Sequence, residues 1–206
     1  MNPRTIAAGL AVALLLAPAA ALPCGNAIFL RTDEATQLVA KAEKAFEQRR
    51  YRRVLALVDS IEGHIRDGNL RRRVSTVYAA ALVRAGSPTR GVQGLRDVLE
   101  ADRENATVEA YLAEGLSKLE HGRAEALEIL TRLAERDLIA DPEGYRALAR
   151  LKALAGDAEG KAAAIAACAR LSGSATRCEK GLPKVAKTQT PPSQKVAEAS
   201  VLDASS

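Results

Sequence analysis

The sequence contains few of the side chains on which common catalytic and recognition chemistry depends. It has no tryptophan, 3% aromatic residues, two histidines, three cysteines and one methionine among 206 residues. Because aromatic and β-branched clusters are scarce, we expect no strands, and therefore neither a phosphate-binding loop nor a nucleophile elbow. His64 and His121 have no partner at ligand spacing, which argues against a metal site. We expect an all-α protein that is not an enzyme and carries no cofactor or metal.

The first 21 residues have the pattern of a cleaved, bacterial-style secretory signal. Arg4 precedes an apolar run over 6–17, and Pro18 leads into an A-x-A site that ends at Ala21. This run is short for a bilayer span, so a retained transmembrane anchor is the weaker alternative. We expect residues 1–21 to be removed and the mature protein, periplasmic or secreted, to have no membrane span.

Export gives the three cysteines a chemical context. Cys168 and Cys178 are ten residues apart, and in an oxidising compartment this spacing predicts a local disulfide. Cys24 follows Leu22 and Pro23, where a lipoprotein signal needs leucine one position earlier and a small residue before the cysteine. We therefore expect Cys24 to be unacylated, and an accessory lipoprotein anchored through Cys24 is the minority alternative.

Charge is separated along the chain. Residues 49–96 carry eleven arginines and three acidic residues, a net of +8, whereas residues 97–143 have a net of −8. Seven arginines in two runs are candidate partner-binding residues: Arg49, Arg50, Arg52, Arg53, Arg71, Arg72 and Arg73. No aromatic platform or recognition motif accompanies them, so solvated helix faces are a better interpretation than a nucleic-acid site. If these arginines do bind a partner, we expect an acidic protein or peptide. Self-association of the basic block with the acidic block is the alternative.

Apolar residues recur at intervals of three and four from about residue 32 to 171, the period of amphipathic helices. Four residues are expected to cap helices: Thr32, Ser87, Asp141 and Asp157, of which Ser87 and Asp141 each precede a proline. Gly68 and Asn69 are expected to stop one helix.

The helical segment also repeats. Four predicted turn centres are 37, 36 and 34 residues apart: Tyr51, Pro88, Ala124 and Ala158. Small residues lie nine positions before each centre: Ala42, Ala79, Gly115 and Ala149. Two positions before the centres stand Arg49, Gly86, Gly122 and Gly156, so three of the four residues are glycine. Together with the stretch LVRAGSPTRGVQGL over 82–95, this pattern resembles the tetratricopeptide repeat family, whose unit is two antiparallel helices.

The resemblance implies an α-α superhelix of about four helical hairpins over residues 32–171, and an irregular α-bundle is the alternative. Residues 22–31 would be a linker, 172–182 a capping segment and 183–206 a disordered tail. The family's tryptophan is absent, and so are the asparagines of its two-carboxylate clamp.

In that family the first helix of each hairpin lines a concave face that binds a peptide or a partner domain. Val39, Arg72 or Ser75, and Tyr111 are the expected exposed positions on this face. The sequence therefore predicts a non-catalytic interaction scaffold of the cell envelope.

Overall fold

The computed structural model of the chain describes residues 32–185, which form nine α-helices and no strand. The helices are α1 (Thr32–Glu47), α2 (Tyr51–Asp59), α3 (Gly68–Arg84), α4 (Pro88–Ala101), α5 (Ala106–Ser117), α6 (Arg123–Glu135), α7 (Pro142–Leu154), α8 (Ala158–Ser172) and α9 (Ala175–Glu179). Single turns of 3-10 helix lie at Glu62–His64 and Glu120–Gly122. The predicted all-α class is confirmed. The predicted signal sequence over 1–21, the predicted linker over 22–31 with Cys24, and the predicted tail beyond residue 185 lie outside the described range.

The first eight helices pack as four consecutive pairs: α1 with α2, α3 with α4, α5 with α6, and α7 with α8. The second helix of each pair begins at, or one residue before, the turn centre that the sequence repeat predicts. The first helices of the pairs also contact one another in order, α1 with α3, α3 with α5, and α5 with α7. The C-terminal ends of α1, α3 and α5 are thereby brought near the start of α7.

Two of the four predicted caps form hydrogen bonds at helix starts, and Thr32 is the first residue of α1. The carboxylate of Asp141 accepts from the backbone N–H of Glu143 at 2.9 Å, and that of Asp157 accepts from Gly160 at 2.7 Å. These bonds satisfy N–H groups that have no partner within the helix. Ser87 is also an N-cap residue, but its hydroxyl makes no capping bond.

The prediction that Gly68 and Asn69 stop a helix is wrong, because these two residues begin α3. The carboxylate of Asp67 accepts from the N–H of Leu70 at 2.8 Å and caps the helix. The preceding helix has already ended at Asp59. An aspartate N-cap and the apolar period that starts at Leu70 therefore outweigh the low helix propensity of glycine.

The repeated glycine position has two different structural causes. Gly86 and Gly156 adopt left-handed backbone with φ of 98° and 80°, which costs glycine little. Gly122 has φ −95°, but a Cβ there would lie 2.8 Å from the backbone oxygen of Leu116. The non-glycine member of the set, Arg49, also has left-handed backbone, with φ 59°.

The apolar core has two parts that meet at α3. One contains residues from α1, α2 and α3, and the other runs from α3 to α9. All four small residues of the repeat are buried: Ala42, Ala79, Gly115 and Ala149. At Ala79 the reason is a close helix crossing, since a Cβ on Gly91 of α4 would lie 2.7 Å from the Ala79 oxygen. Val39 is fully buried, so its prediction as an exposed position is wrong.

The predicted disulfide between Cys168 and Cys178 is confirmed and joins α8 to α9. The α9 helix contacts both α7 and α8. Two further bonds fix the chain beyond it: Arg146 donates to the backbone oxygen of Lys180 at 2.7 Å, and Lys161 donates to that of Pro183 at 3.0 Å. In the part of the chain that the structure describes, no helix is both long enough and apolar enough to cross a bilayer.

Candidate functional site

A buried arginine side chain, Arg84, lies where α1, α3, α5 and the start of α7 come together. Arg84 is the last residue of α3, and its side chain is 6% exposed. Its Nε and Nη2 atoms donate to the carboxylate of Glu114 at 3.0 and 2.8 Å, and Nη2 lies 3.0 Å from Oδ2 of Asp141. Burial alone lowers the pKa of Arg84, but Glu114 and Asp141 outweigh it, so the pKa is raised above its ordinary value.

Three aromatic rings surround the same guanidinium. The Cζ atom of Arg84 lies 4.8 Å from the ring centre of Phe46, 5.3 Å from that of Tyr111 and 5.9 Å from that of Tyr51. Phe46 contacts both tyrosines edge-on. Burial raises the pKa of Tyr111 to about 12. Phe46 belongs to the apolar core and both tyrosines pack against that core, so the three rings connect the guanidinium to it.

A cavity of about 310 Å³ opens beside Arg84. Five cationic side chains and two carboxylates line it: Arg49, Arg84, Lys118, Arg146, Arg150, Glu114 and Glu143. Gly181 and Leu182, just beyond α9, form part of its wall. The lining hydroxyl of Ser117 is already used, because it donates to the backbone oxygen of Glu114 at 2.7 Å. The cavity thus offers charge and hydrogen-bond donors, and no activated nucleophile is present among these residues.

Both carboxylates of the cavity are engaged by cations. Glu114 binds Arg84 and lies 3.5 Å from Nζ of Lys118, which also donates to the backbone oxygen of Val83. Glu143 lies 2.8 Å from Nη1 of Arg49 and makes longer pairs with Arg146 and Arg177. No carboxylate of the lining is left to neutralise the remaining positive charge.

Four of the seven predicted arginines lie together next to this cavity. Arg49, Arg50, Arg52 and Arg53 line a groove with Tyr51 and Arg84, and these last two and Arg49 also line the cavity. We call Arg49, Arg50, Arg52 and Arg53 the turn arginines. All four are exposed, and Arg50, Arg52 and Arg53 make no ion pair within residues 32–185.

The other three predicted arginines lie in the first turns of α3, 11 to 13 residues before Arg84. At 1.5 Å per residue they are roughly 17–20 Å away along the helix axis. Arg73 makes a bidentate pair with Glu43, at 2.9 and 2.7 Å, and Arg71 donates to the backbone oxygen of Ile65. Arg72 donates to the side chain of Asn69. The structure does not bring these three together with the turn arginines.

The basic and acidic sequence blocks pair within the chain. Four ion pairs connect a residue of 49–96 to one of 97–143: Arg49 with Glu143, Arg84 with Glu114, Arg84 with Asp141, and Arg96 with Glu125. Part of the charge separation in the sequence is therefore cancelled on folding.

Sequence reasoning missed Arg84 and Glu114, although a signal was present. Glu114 interrupts an otherwise small and apolar stretch from Ala110 to Leu116, and Arg84 ends a similar run from Ala79. A charge inside a buried helical stretch requires a partner. The histidines lie in the two 3-10 turns, and within residues 32–185 no three His, Cys, Asp or Glu side chains are grouped to hold a metal ion.

Comparison with known protein families, characterised proteins and solved structures finds no match to this chain. Its function is therefore inferred from its own residues.

Proposed function

We propose that this protein is a non-catalytic interaction scaffold of the cell envelope. In this proposal residues 1–21 direct export to the periplasm or the exterior. The four helical pairs stack as a superhelix similar to tetratricopeptide repeats, and the turn arginines bind an acidic segment of a partner protein or peptide.

The observation that carries the proposal is the set of unneutralised arginines at the α1–α2 turn. Arg50, Arg52 and Arg53 are exposed on one turn without an ion pair in the described range, beside a cavity whose lining is itself positive. A single exposed ion pair contributes only about 0–1 kcal/mol, but several contacts to one acidic segment add together. They also accelerate encounter, which makes the rate dependent on salt.

Self-assembly through complementary blocks is the second candidate, and the intrachain pairs weaken it. Arg84 and Arg96 are occupied by Glu114, Asp141 and Glu125 of the same chain. An acidic block that already serves intrachain arginines has less charge to offer a second copy. Size-exclusion chromatography with light scattering at low and high salt tests this alternative, and a salt-sensitive dimer would favour it.

The binding proposal is tested with a fluorescent peptide of alternating Glu and Gly, and a Gln/Gly peptide as the neutral control. The variant Arg50→Glu/Arg53→Glu should reduce binding of the acidic peptide at least tenfold in low salt. Arg103→Glu/Arg136→Glu makes the same charge change at exposed positions outside the cavity and the groove, and should bind within about twofold of the parent. Equal losses in the two variants would show only a net-charge effect and would refute the proposed site.

The position of Cys24 has its own test, because anchoring would place the scaffold on a membrane. Intact-mass analysis of protein purified from the envelope should give a chain that begins near Leu22 and carries no lipid. A diacylglyceryl mass on Cys24 would instead establish the lipoprotein alternative.

A further inference from the structure

We infer that the cavity beside Arg84 is a binding site for a small dianion, either a phosphate group or a pair of carboxylates. This inference goes beyond the proposed partner binding, because it concerns the cavity, whose lining includes Arg49 but not Arg50, Arg52 or Arg53, and it needs no protein ligand.

The first argument is the charge balance of the lining. Five cations face two carboxylates, and Asp141, which binds Arg84 from outside the lining, supplies only one more negative charge. The site therefore retains at least two positive charges after every carboxylate in contact with it is counted, because Arg177 outside the lining also shares Glu143. A ligand with two negative charges would complete the balance, whereas a neutral ligand would leave the cations facing one another.

The second argument is unused hydrogen-bonding capacity on α7. Arg146 and Arg150 are four residues apart, so they project from the same face of the helix into the cavity lining. Arg150 is partly buried and makes no hydrogen bond or ion pair within residues 32–185. Arg150 therefore presents to the cavity a guanidinium without an acceptor, which an anion would supply.

The third argument is that three of the five cations are held in place before any ligand arrives. Arg49 and Arg84 are held by Glu143 and Glu114, while Lys118 is held by the Val83 oxygen. The disulfide fixes α9 and therefore the Gly181–Leu182 wall. Guanidinium groups held in this way bind the oxygens of phosphate or carboxylate in pairs, with little ordering cost. The volume of about 310 Å³ is at the lower end of the range for small-molecule sites.

The test is isothermal titration of the disulfide-intact protein with inorganic phosphate and, separately, with succinate, at constant ionic strength set by chloride. At least one of the two should bind with 1:1 stoichiometry, and that same anion should raise Tm. Binding of phosphate alone identifies a tetrahedral oxyanion site, and binding of succinate alone identifies a dicarboxylate site.

Two variants locate the binding. Arg150→Gln removes the unpaired cation and should weaken binding about tenfold or more, the loss expected for a charged hydrogen bond. Lys118→Gln should weaken it as well, whereas Arg103→Gln, at an exposed turn position, should leave it within about twofold. The inference is overturned if neither anion binds 1:1, or if Arg150→Gln and Lys118→Gln both bind as tightly as the parent. Because no peptide is used and Arg50, Arg52 and Arg53 do not line the cavity, these outcomes do not depend on the three arginines that carry the proposed peptide binding.

Discussion

Replacing Arg84 by methionine should be among the most damaging single changes in the described part of the chain. Methionine keeps much of the side-chain length but leaves the carboxylate of Glu114, 7% exposed, without its main partner. Removal of one member of a buried pair costs about 3–5 kcal/mol. Lys118 remains 3.5 Å from Glu114, so we expect the lower end, about 3 kcal/mol. Domains of this size have a total stability of about 5–15 kcal/mol.

The double variant Arg84→Met/Glu114→Leu separates the charge from the space it fills. It leaves an apolar pair in place of the buried ions, and such replacements are often neutral. Asp141 loses its cation but keeps its bond to the Glu143 N–H and is partly exposed. We therefore expect the free energy of unfolding of the double variant to lie within about 1 kcal/mol of the parent's, a smaller loss than that of Arg84→Met alone.

Arg96→Met is the matched control, because Arg96 pairs with Glu125 at 3.0 Å on the surface, where both side chains are nearly half exposed. That change should cost about 0–1 kcal/mol. The assay is urea unfolding followed by circular dichroism, with the disulfide intact and m-values compared. The reasoning is refuted if Arg84→Met costs no more than Arg96→Met, or if the double variant loses more than Arg84→Met.

Three further predictions concern packing, the disulfide and pH. Gly91→Ala should lower Tm and cost about 1–3 kcal/mol in urea unfolding, because its Cβ would lie 2.5 Å from the side chain of Val83. Gly68→Ala is the control and should be tolerated, since its Cβ would have no neighbouring atom within 4 Å. Equal effects of the two changes would contradict the close crossing of α3 and α4. Replacing both Cys168 and Cys178 by serine should lower the free energy of unfolding by about 2–3 kcal/mol, because the unfolded chain gains conformational entropy when the disulfide no longer closes a loop. An unchanged Tm would argue against a stabilising bridge. The pKa of Tyr111 is raised from 10.0 to about 12 in the folded protein, so the stability that its neutral hydroxyl contributes is complete below pH 10 and is lost as the pH rises toward 12. Tyr111→Phe should therefore flatten the plot of unfolding free energy against pH between pH 10 and 12. An unchanged slope would refute the raised pKa of Tyr111.

Local features of the fold were predictable from the sequence because they depend on neighbouring residues. The start of α8 follows from Asp157, and the turn at Gly86 follows from a backbone that favours glycine. The error at Gly68 also had a local cause, since the same glycine can end one helix or follow an aspartate cap at the start of the next. The cap formed by Asp67 places Gly68 at the start of α3.

Long-range features were not predictable in the same way. Arg84 and Glu114 are 30 residues apart, and the sequence repeat gives the spacing of the hairpins without the rotation of each helix. That rotation buries Val39 and places Arg84 inside. The length of α3, rather than its rotation, separates the turn arginines from Arg71, although both groups belong to the same basic block of sequence.

Arg84 also has a consequence for how the chain unfolds. Arrays of repeats usually lose structure unit by unit, because each repeat contacts only its neighbours. Here one guanidinium contacts Phe46 of α1, Glu114 of α5 and Asp141 at the start of α7, and so connects the first hairpin to the third and fourth. The two apolar cores on either side of α3 share this cation, and neither can open there without exposing it. The four helical pairs should therefore melt as one cooperative unit rather than fray from the ends.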